Sequence, residues 1–151
     1  MRPVPSPALL RPAAWRALAA CLLCLALAAC GTVNRANKGQ ALHRIQYDYS
    51  AAIRWGDFEG AWNTVDPEYR KAHPLSEAEF SRYSQIQVTA YRDLDSVTSG
   101  DGVVLRNIQI DLVNRNTLSQ RSVRYIETWR FDTEAGRWWV TSGLPDFWDG
   151  Q

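Results

Sequence analysis

Hydrophobic residues follow two different periods along this chain, one before Gln85 and one after it. In the first half, apolar residues recur every three or four positions, which is the spacing of one face of a helix. The first such stripe comprises Leu42, Ile45, Tyr49 and Ile53. In the second half, apolar and polar positions alternate, which is typical of half-buried strands. Helices followed by strands are the order of an α+β domain, and this is the fold class that we predict.

Capping residues divide the helical half into three predicted helices. Gly56 can take the left-handed conformation that closes the first helix. Asp57 is a suitable N-cap for a second helix, which we expect to stop at Asp66-Pro67. Ser76 and Glu79 have the spacing of a capping box at the start of a third helix.

Four alternating segments predict four strands, at residues 86–96, 104–112, 123–131 and 138–141. Glycine-containing turns at Ser99–Gly102 and Thr133–Gly136 separate the first pair and the last pair. We therefore expect an antiparallel meander with the helices packed on one face. On the alternation alone, Arg92, Arg106 and Glu127 fall on the apolar faces of their strands.

The first thirty residues have the pattern of an export signal. A leader with three arginines precedes the apolar run Ala17–Ala29, which at thirteen residues is shorter than the roughly 20 that a spanning helix needs. The run ends in Leu27-Ala28-Ala29-Cys30, which resembles the lipobox of bacterial lipoproteins. An ordinary secretory signal is the alternative, because small residues before the cleavage point suit both kinds of signal.

The lipobox resemblance implies a processing route and a location. A helical signal peptide, residues 1–29, would be cleaved between Ala29 and Cys30, and lipid including palmitate would be attached to Cys30. In lipoproteins of two-membrane bacteria an aspartate after the cysteine favours the inner membrane. Gly31 stands there in this chain, so we expect the outer membrane, with the protein facing the periplasm.

Composition limits what the remaining 122 residues can do. We assign residues 30–39 to the lipidated cysteine and a flexible tether, and residues 40–151 to one domain. The formal charge of this part is −2 with no basic cluster, which excludes nucleic acid as a partner. Cys21 and Cys24 belong to the signal, so no internal disulfide is expected. The two histidines are isolated and no cofactor motif is present, so we expect neither metal nor cofactor.

The domain resembles the NTF2-like superfamily, also called cystatin-like or SnoaL-like α+β rolls, over about residues 40–148. The likeness is carried by Ala51–Trp62, which reads as a helix, a Gly-Asp break and a second helix, and by the closing segment Gly136–Gly143. It implies N-terminal helices packed on a curved four-stranded antiparallel sheet, with a conical cavity between them. Members of this superfamily act as enzymes, binding modules or subunits of secretion machines, so the fold alone assigns no function.

Glu127 is the candidate catalytic residue, with Tyr125 and Tyr49 as its partners. On the inner face of the third strand Glu127 stands between Tyr125 and Trp129, where desolvation would raise the pKa of the carboxyl and suit it to general acid or base chemistry. The alternative is that Glu127 forms a buried ion pair with Arg92 or Arg106 and stabilises the sheet.

Trp139 and Ile126 are the candidate partner surface. Adjacent strand residues point to opposite faces, so of Trp138 and Trp139 one is expected to face outward. An outward Trp139 beside Ile126 would suit a second copy of the chain or an envelope protein; a tryptophan covered by arginine side chains is the alternative.

These observations predict a membrane-anchored periplasmic lipoprotein whose domain is a non-catalytic binding or accessory module, with a small apolar ligand as one expectation. Two alternatives stay open. The domain could be a cavity enzyme of the isomerase, dehydratase or hydrolase type that uses Glu127, or a subunit of an envelope or secretion complex.

Overall fold

The computed structural model describes residues 37–148. The predicted signal peptide with its cleavage site at Ala29 and Cys30, the lipidation site, most of the tether and the last three residues lie outside this part of the chain. The chain divides into two units after Gln40, and the second unit is Ala41–Gln151. None of the helices within residues 37–148 is both long and apolar enough to cross a membrane.

The first two helices meet at the Gly-Asp break, as predicted. Helix α1 includes residues 37–55, so residues 37–39, which the sequence pattern placed in the tether, are helical. Gly56 has a φ of 77°, and its N–H donates to the carbonyl of Ile53. Helix α2, Phe58–Trp62, is capped by the side chain of Asp57, which accepts from the N–H of Gly60 at 2.9 Å.

The segment that follows contains a helix that the pattern did not predict. Helix α3, Pro67–Ala72, begins where Asp66-Pro67 was expected to stop a helix. The side chain of Asp66 accepts from the N–H groups of Glu68 and Tyr69, and Pro67 occupies the first turn, where its missing N–H costs nothing. Asp-Pro is therefore a helix start here. Helix α4, Glu77–Tyr83, begins with the predicted capping box.

The second half of the chain forms an open four-stranded sheet in the order β1-β2-β3-β4 with all neighbours antiparallel. Together with the helices packed against it, this confirms the α+β class. The strands are β1 (Ile86–Thr98), β2 (Val104–Asn114), β3 (Gln120–Asp132) and β4 (Arg137–Val140). The core contains Tyr49 and Ile53 of α1, Ile108 and Ile110 of β2, and Trp129 of β3.

Two irregularities in β1 reverse the orientation of its middle residues. The β1–β2 register shifts between Val88 and Ala90 and again between Asp93 and Asp95. Each extra residue exchanges the two faces for the residues that follow it. The prediction that Arg92 lies on the apolar face is therefore wrong. Arg92 is exposed and pairs with Asp111.

Candidate functional site

Glu127 is fully buried in the sheet and bound by three side chains. Its Oε2 accepts from Nη1 of Arg106 at 2.8 Å and from Nε1 of Trp129 at 2.7 Å. Its Oε1 accepts from the hydroxyl of Tyr91. Arg106 stands directly opposite Glu127 across the β2–β3 pair, which explains why the two side chains meet. Of the two pairings considered for Glu127, the structure contains the one with Arg106.

Arg106 is the centre of this network. Besides Glu127 it holds Asp93 of β1, whose Oδ2 accepts from Nε at 3.0 Å and from Nη2 at 2.7 Å. Three neighbouring strands are thereby joined through one guanidinium. We call these residues the ion-pair network: Tyr91, Asp93, Arg106, Glu127 and Trp129.

The electrostatics of Glu127 combine two opposed effects. Burial raises the pKa of the Glu127 carboxyl to about 8, and the hydrogen bond from Trp129 acts in the opposite direction. A raised pKa of this kind is what a general acid or base needs. A substrate cannot reach this carboxyl in the structure, because none of its surface is exposed and both of its oxygens already accept from protein donors.

Tyr49 and Tyr125, the proposed catalytic partners, lie together and bind the backbone. Their hydroxyl oxygens are 3.3 Å apart, and both donate to the carbonyl of Gly143, at 3.0 Å from Tyr49 and 2.6 Å from Tyr125. Burial raises the pKa of Tyr49 well above its ordinary value and that of Tyr125 to about 12, although hydrogen bonds with Ser142 and Tyr49 lower the latter. Both tyrosines are therefore protonated donors that fix the segment after β4.

A large aromatic side chain packs beside these residues. Trp129 is fully buried, and its ring meets that of Tyr49 edge to face at 5.6 Å between centroids. The structure thus brings the three candidate residues into one region, but it uses all three in packing and hydrogen bonding. At Glu127, where the family resemblance implied a conical cavity, these side chains are buried against one another.

Trp139 is not presented to solvent. Trp138 belongs to the core and Trp139 does not, yet each is only 8% exposed, so of the two possibilities the structure contains the tryptophan covered by an arginine. The guanidinium carbon of Arg137 lies 3.9 Å from the ring centroid of Trp139 and covers the indole. Ile126, by contrast, is 56% exposed.

A cavity of about 220 Å³ lies outside the sheet interior, between the helices and the segment that follows β4. Two tryptophan and two tyrosine rings border it, those of Trp62 from α2, Tyr69 from α3, Tyr83 from α4 and Trp148, and the His73 ring stacks on Tyr69. Trp62 and Tyr69 meet edge to face, as do Tyr83 and Trp148. We call this space the aromatic cavity. Unlike the surroundings of Glu127, it is open on one side.

Polar side chains at the rim of the aromatic cavity are already oriented by other contacts. The guanidinium of Arg82 lies 4.3 Å from the ring centroid of Trp148. Glu79 is held by the capping box, and the Oδ1 of Asp146 accepts from the N–H of Trp148 at 2.8 Å. The hydroxyl of Tyr83 donates to the carbonyl of Pro145, and burial raises its pKa, so it stays protonated. Fixed rings and fixed polar groups suit binding of a small molecule.

Comparison with known proteins adds no family. No protein-family model matches this chain, and no curated protein matches it.

Several residues that surround Glu127 or that line the aromatic cavity were not identified from the sequence. Tyr91 and Asp93 were missed because no turn residue marks the irregularities in β1. Tyr69 was missed together with α3, although Asp66-Pro67 carried the signal. Trp62 and Trp148 are partly buried, and each packs against the core while lining the cavity.

Proposed function

We propose that this chain is a lipid-anchored protein of the bacterial outer membrane whose periplasmic domain, an NTF2-like roll, is a non-catalytic module that binds a small ligand in the aromatic cavity. The observation that carries the non-catalytic part is the burial of Glu127, whose carboxylate is engaged by Arg106, Trp129 and Tyr91. A general acid or base must reach its substrate within hydrogen-bond distance. Substrate could reach this carboxylate only by breaking the ion pair.

The aromatic cavity supports binding for a different reason. A ligand entering it would replace water against its aromatic rings, and apolar contact with aromatic side chains is the main contribution in small-molecule sites. A volume of about 220 Å³ limits the occupant to a small molecule or to one side chain of a larger partner.

Anchoring rests on Leu27-Ala28-Ala29-Cys30 and is tested at Cys30. Cells carrying the wild-type chain or Cys30→Ser are labelled with palmitate and fractionated. We expect label and outer-membrane location in the wild type and loss of both in the variant. A Cys30→Ser chain that keeps its label and its membrane location would contradict the proposal.

Binding is tested with a small aromatic probe, para-fluorophenol, followed by fluorine NMR. We expect line broadening with the wild-type chain and its loss in Leu75→Trp, because Leu75 lines the aromatic cavity and a larger ring fills it. Leu94→Trp is the matched control, since Leu94 is 46% exposed on β1. Equal broadening for both variants would show that the probe does not bind in the cavity.

A further inference from the structure

One face of α1 carries the most exposed aromatic side chains of the described chain. Trp55 is 83% exposed and Tyr47 is 70% exposed. They are separated by eight residues with Ala51 midway, so all three lie on one stripe at 3.6 residues per turn. We call this stripe, with the charged residues beside it, the outer face of α1.

The packing of α1 fixes this face in its outward orientation. Tyr49 and Ile53, on the opposite side of the helix, are completely buried in the core. Turning Trp55 inward would require those residues to leave the core. The exposure of two rings is therefore a lasting property of the domain surface, and rings of this kind are amphipathic, with a polar N–H or O–H at one end.

Charged residues on the same face are mainly basic. Arg44 and Arg54 lie within about 60° of Ala51 around the helix axis, and both are exposed. Asp48 is the one acidic residue within that range. Tyrosine, tryptophan and arginine together are the composition of surfaces that contact the interfacial region of a phospholipid bilayer, where anionic headgroups attract the basic side chains.

The chain length to the anchor is compatible with such a contact. Helix α1 is already formed at residue 37, seven residues after Cys30, and seven residues reach at most about 25 Å when fully extended. α1 is the first described element after the tether and so the part of the domain nearest to the lipid along the chain.

We propose that the outer face of α1, formed by Arg44, Tyr47, Ala51, Arg54 and Trp55, rests on the phospholipid surface in which the lipid of Cys30 is embedded. The two rings lie at the boundary of headgroups and acyl chains, and the arginines contact lipid phosphates. The inference rests on the proposed lipid anchor and adds a second point of attachment, which gives the domain one fixed orientation on its membrane.

The test uses tryptophan quenching in vesicles of phosphatidylethanolamine and phosphatidylglycerol whose acyl chains carry bromine. In one arm, lipidated protein purified from membranes is reconstituted into the vesicles. In the other, residues 30–151 are coupled to a maleimide lipid through Cys30, the only thiol in that segment. The second arm does not depend on lipidation in the cell, so failure of the anchor and failure of the docking are distinguishable.

We expect quenching in both arms and loss of most of it in Trp55→Phe. Trp62→Phe, a change in the aromatic cavity, is the matched control and is expected to keep the quenching. Arg54→Glu is expected to reduce quenching most strongly at low salt, because the phosphate contact is electrostatic. Quenching that is equal in wild type and Trp55→Phe, or absent from the coupled chain, would overturn the proposal. Sedimentation of the wild type at twice the protomer mass, reverting to one protomer in Trp55→Phe, would also overturn it by assigning the face to a second copy.

Discussion

Replacing Arg106 by methionine is the most informative change in the sheet. It removes the guanidinium and keeps a side chain of similar length, so the Glu127 carboxylate stays buried without its cation. Breaking one partner of a buried pair costs about 3–5 kcal/mol, which is a large part of the roughly 5–15 kcal/mol that stabilises a typical domain. We expect a loss of that size in the free energy of unfolding above about pH 8, where Glu127 is charged.

The geometry shows where this loss arises. Arg106 also pairs with Asp93, but the Asp93 side chain is 46% exposed, and such pairs contribute at most about 1 kcal/mol. Asp93→Asn is therefore expected to cost no more than about 1 kcal/mol. The greater part of the Arg106→Met loss must come from the contact with Glu127, whose side chain has no exposed surface.

The sign of the pH dependence follows from the raised pKa of Glu127. The folded wild type holds a proton on Glu127 that the unfolded chain, with a carboxyl pKa near 4.3, releases as pH rises from about 5 to about 8, so its stability falls over that range. Arg106→Met removes the cation that favours the charged carboxylate, so the fall is expected to extend to higher pH and the loss relative to wild type to grow above about pH 8. Glu127→Gln combined with Arg106→Met removes the titrating group, so this slope is expected to vanish.

Urea unfolding monitored by tryptophan emission measures all of these variants. A double-mutant cycle of Arg106→Met with Glu127→Leu isolates the coupling, and we expect the double variant to be more stable than Arg106→Met alone because no charge is left buried. A loss below about 1 kcal/mol in Arg106→Met, or losses that simply add in the cycle, would refute the assignment of Glu127 to a structural pair.

Two further predictions concern the segments around α3. The pKa of Asp66 is lowered: burial raises it, but hydrogen bonds from Arg130 and from two backbone N–H groups outweigh that effect. Its stabilisation should therefore be lost as pH falls below about 4, and Asp66→Ala should cost about 1–2 kcal/mol in urea unfolding near neutral pH and remove that acid dependence. Gly143 has a φ of 76°, and a Cβ there would lie 2.6 Å from the hydroxyl of Tyr69, so Gly143→Ala should cost about 2–4 kcal/mol. Gly136→Ala, also at positive φ but with open space around it, should cost only about 1 kcal/mol; equal melting temperatures for the two glycine variants would contradict this packing argument.

Local signals account for the parts of the fold that were predicted. The Gly56-Asp57 break and the capping box at Ser76 are short-range arrangements of backbone and side chain, so neighbouring residues suffice to recognise them. Strand alternation predicted the order and pairing of β1 to β4 for the same reason. These signals need no knowledge of the tertiary structure.

The errors arose where a tertiary contact decides the outcome. Arg92 and Tyr91 exchanged faces because two irregularities in β1 accommodate the neighbouring strand, and no glycine or proline marks them. Trp139 is buried because the guanidinium of Arg137 covers its ring, which strand alternation does not record. Alternation correctly placed Glu127 on the inner face, but whether it was paired depended on the residue opposite it in β2.

The charged residues that stabilise the sheet of this domain are not the residues that it presents to other molecules. Inside the sheet, the Glu127 carboxyl is paired with the Arg106 guanidinium and also accepts from Tyr91 and Trp129. The groups available to other molecules lie elsewhere, at the aromatic cavity around Tyr69 and on the outer face of α1 around Trp55. These two surfaces share no residue, so the proposed contact of α1 with a membrane would leave every side chain that lines the cavity available for a ligand. The proposed lipid anchor and the proposed ligand require this separation, because the protein would then bind while it is anchored.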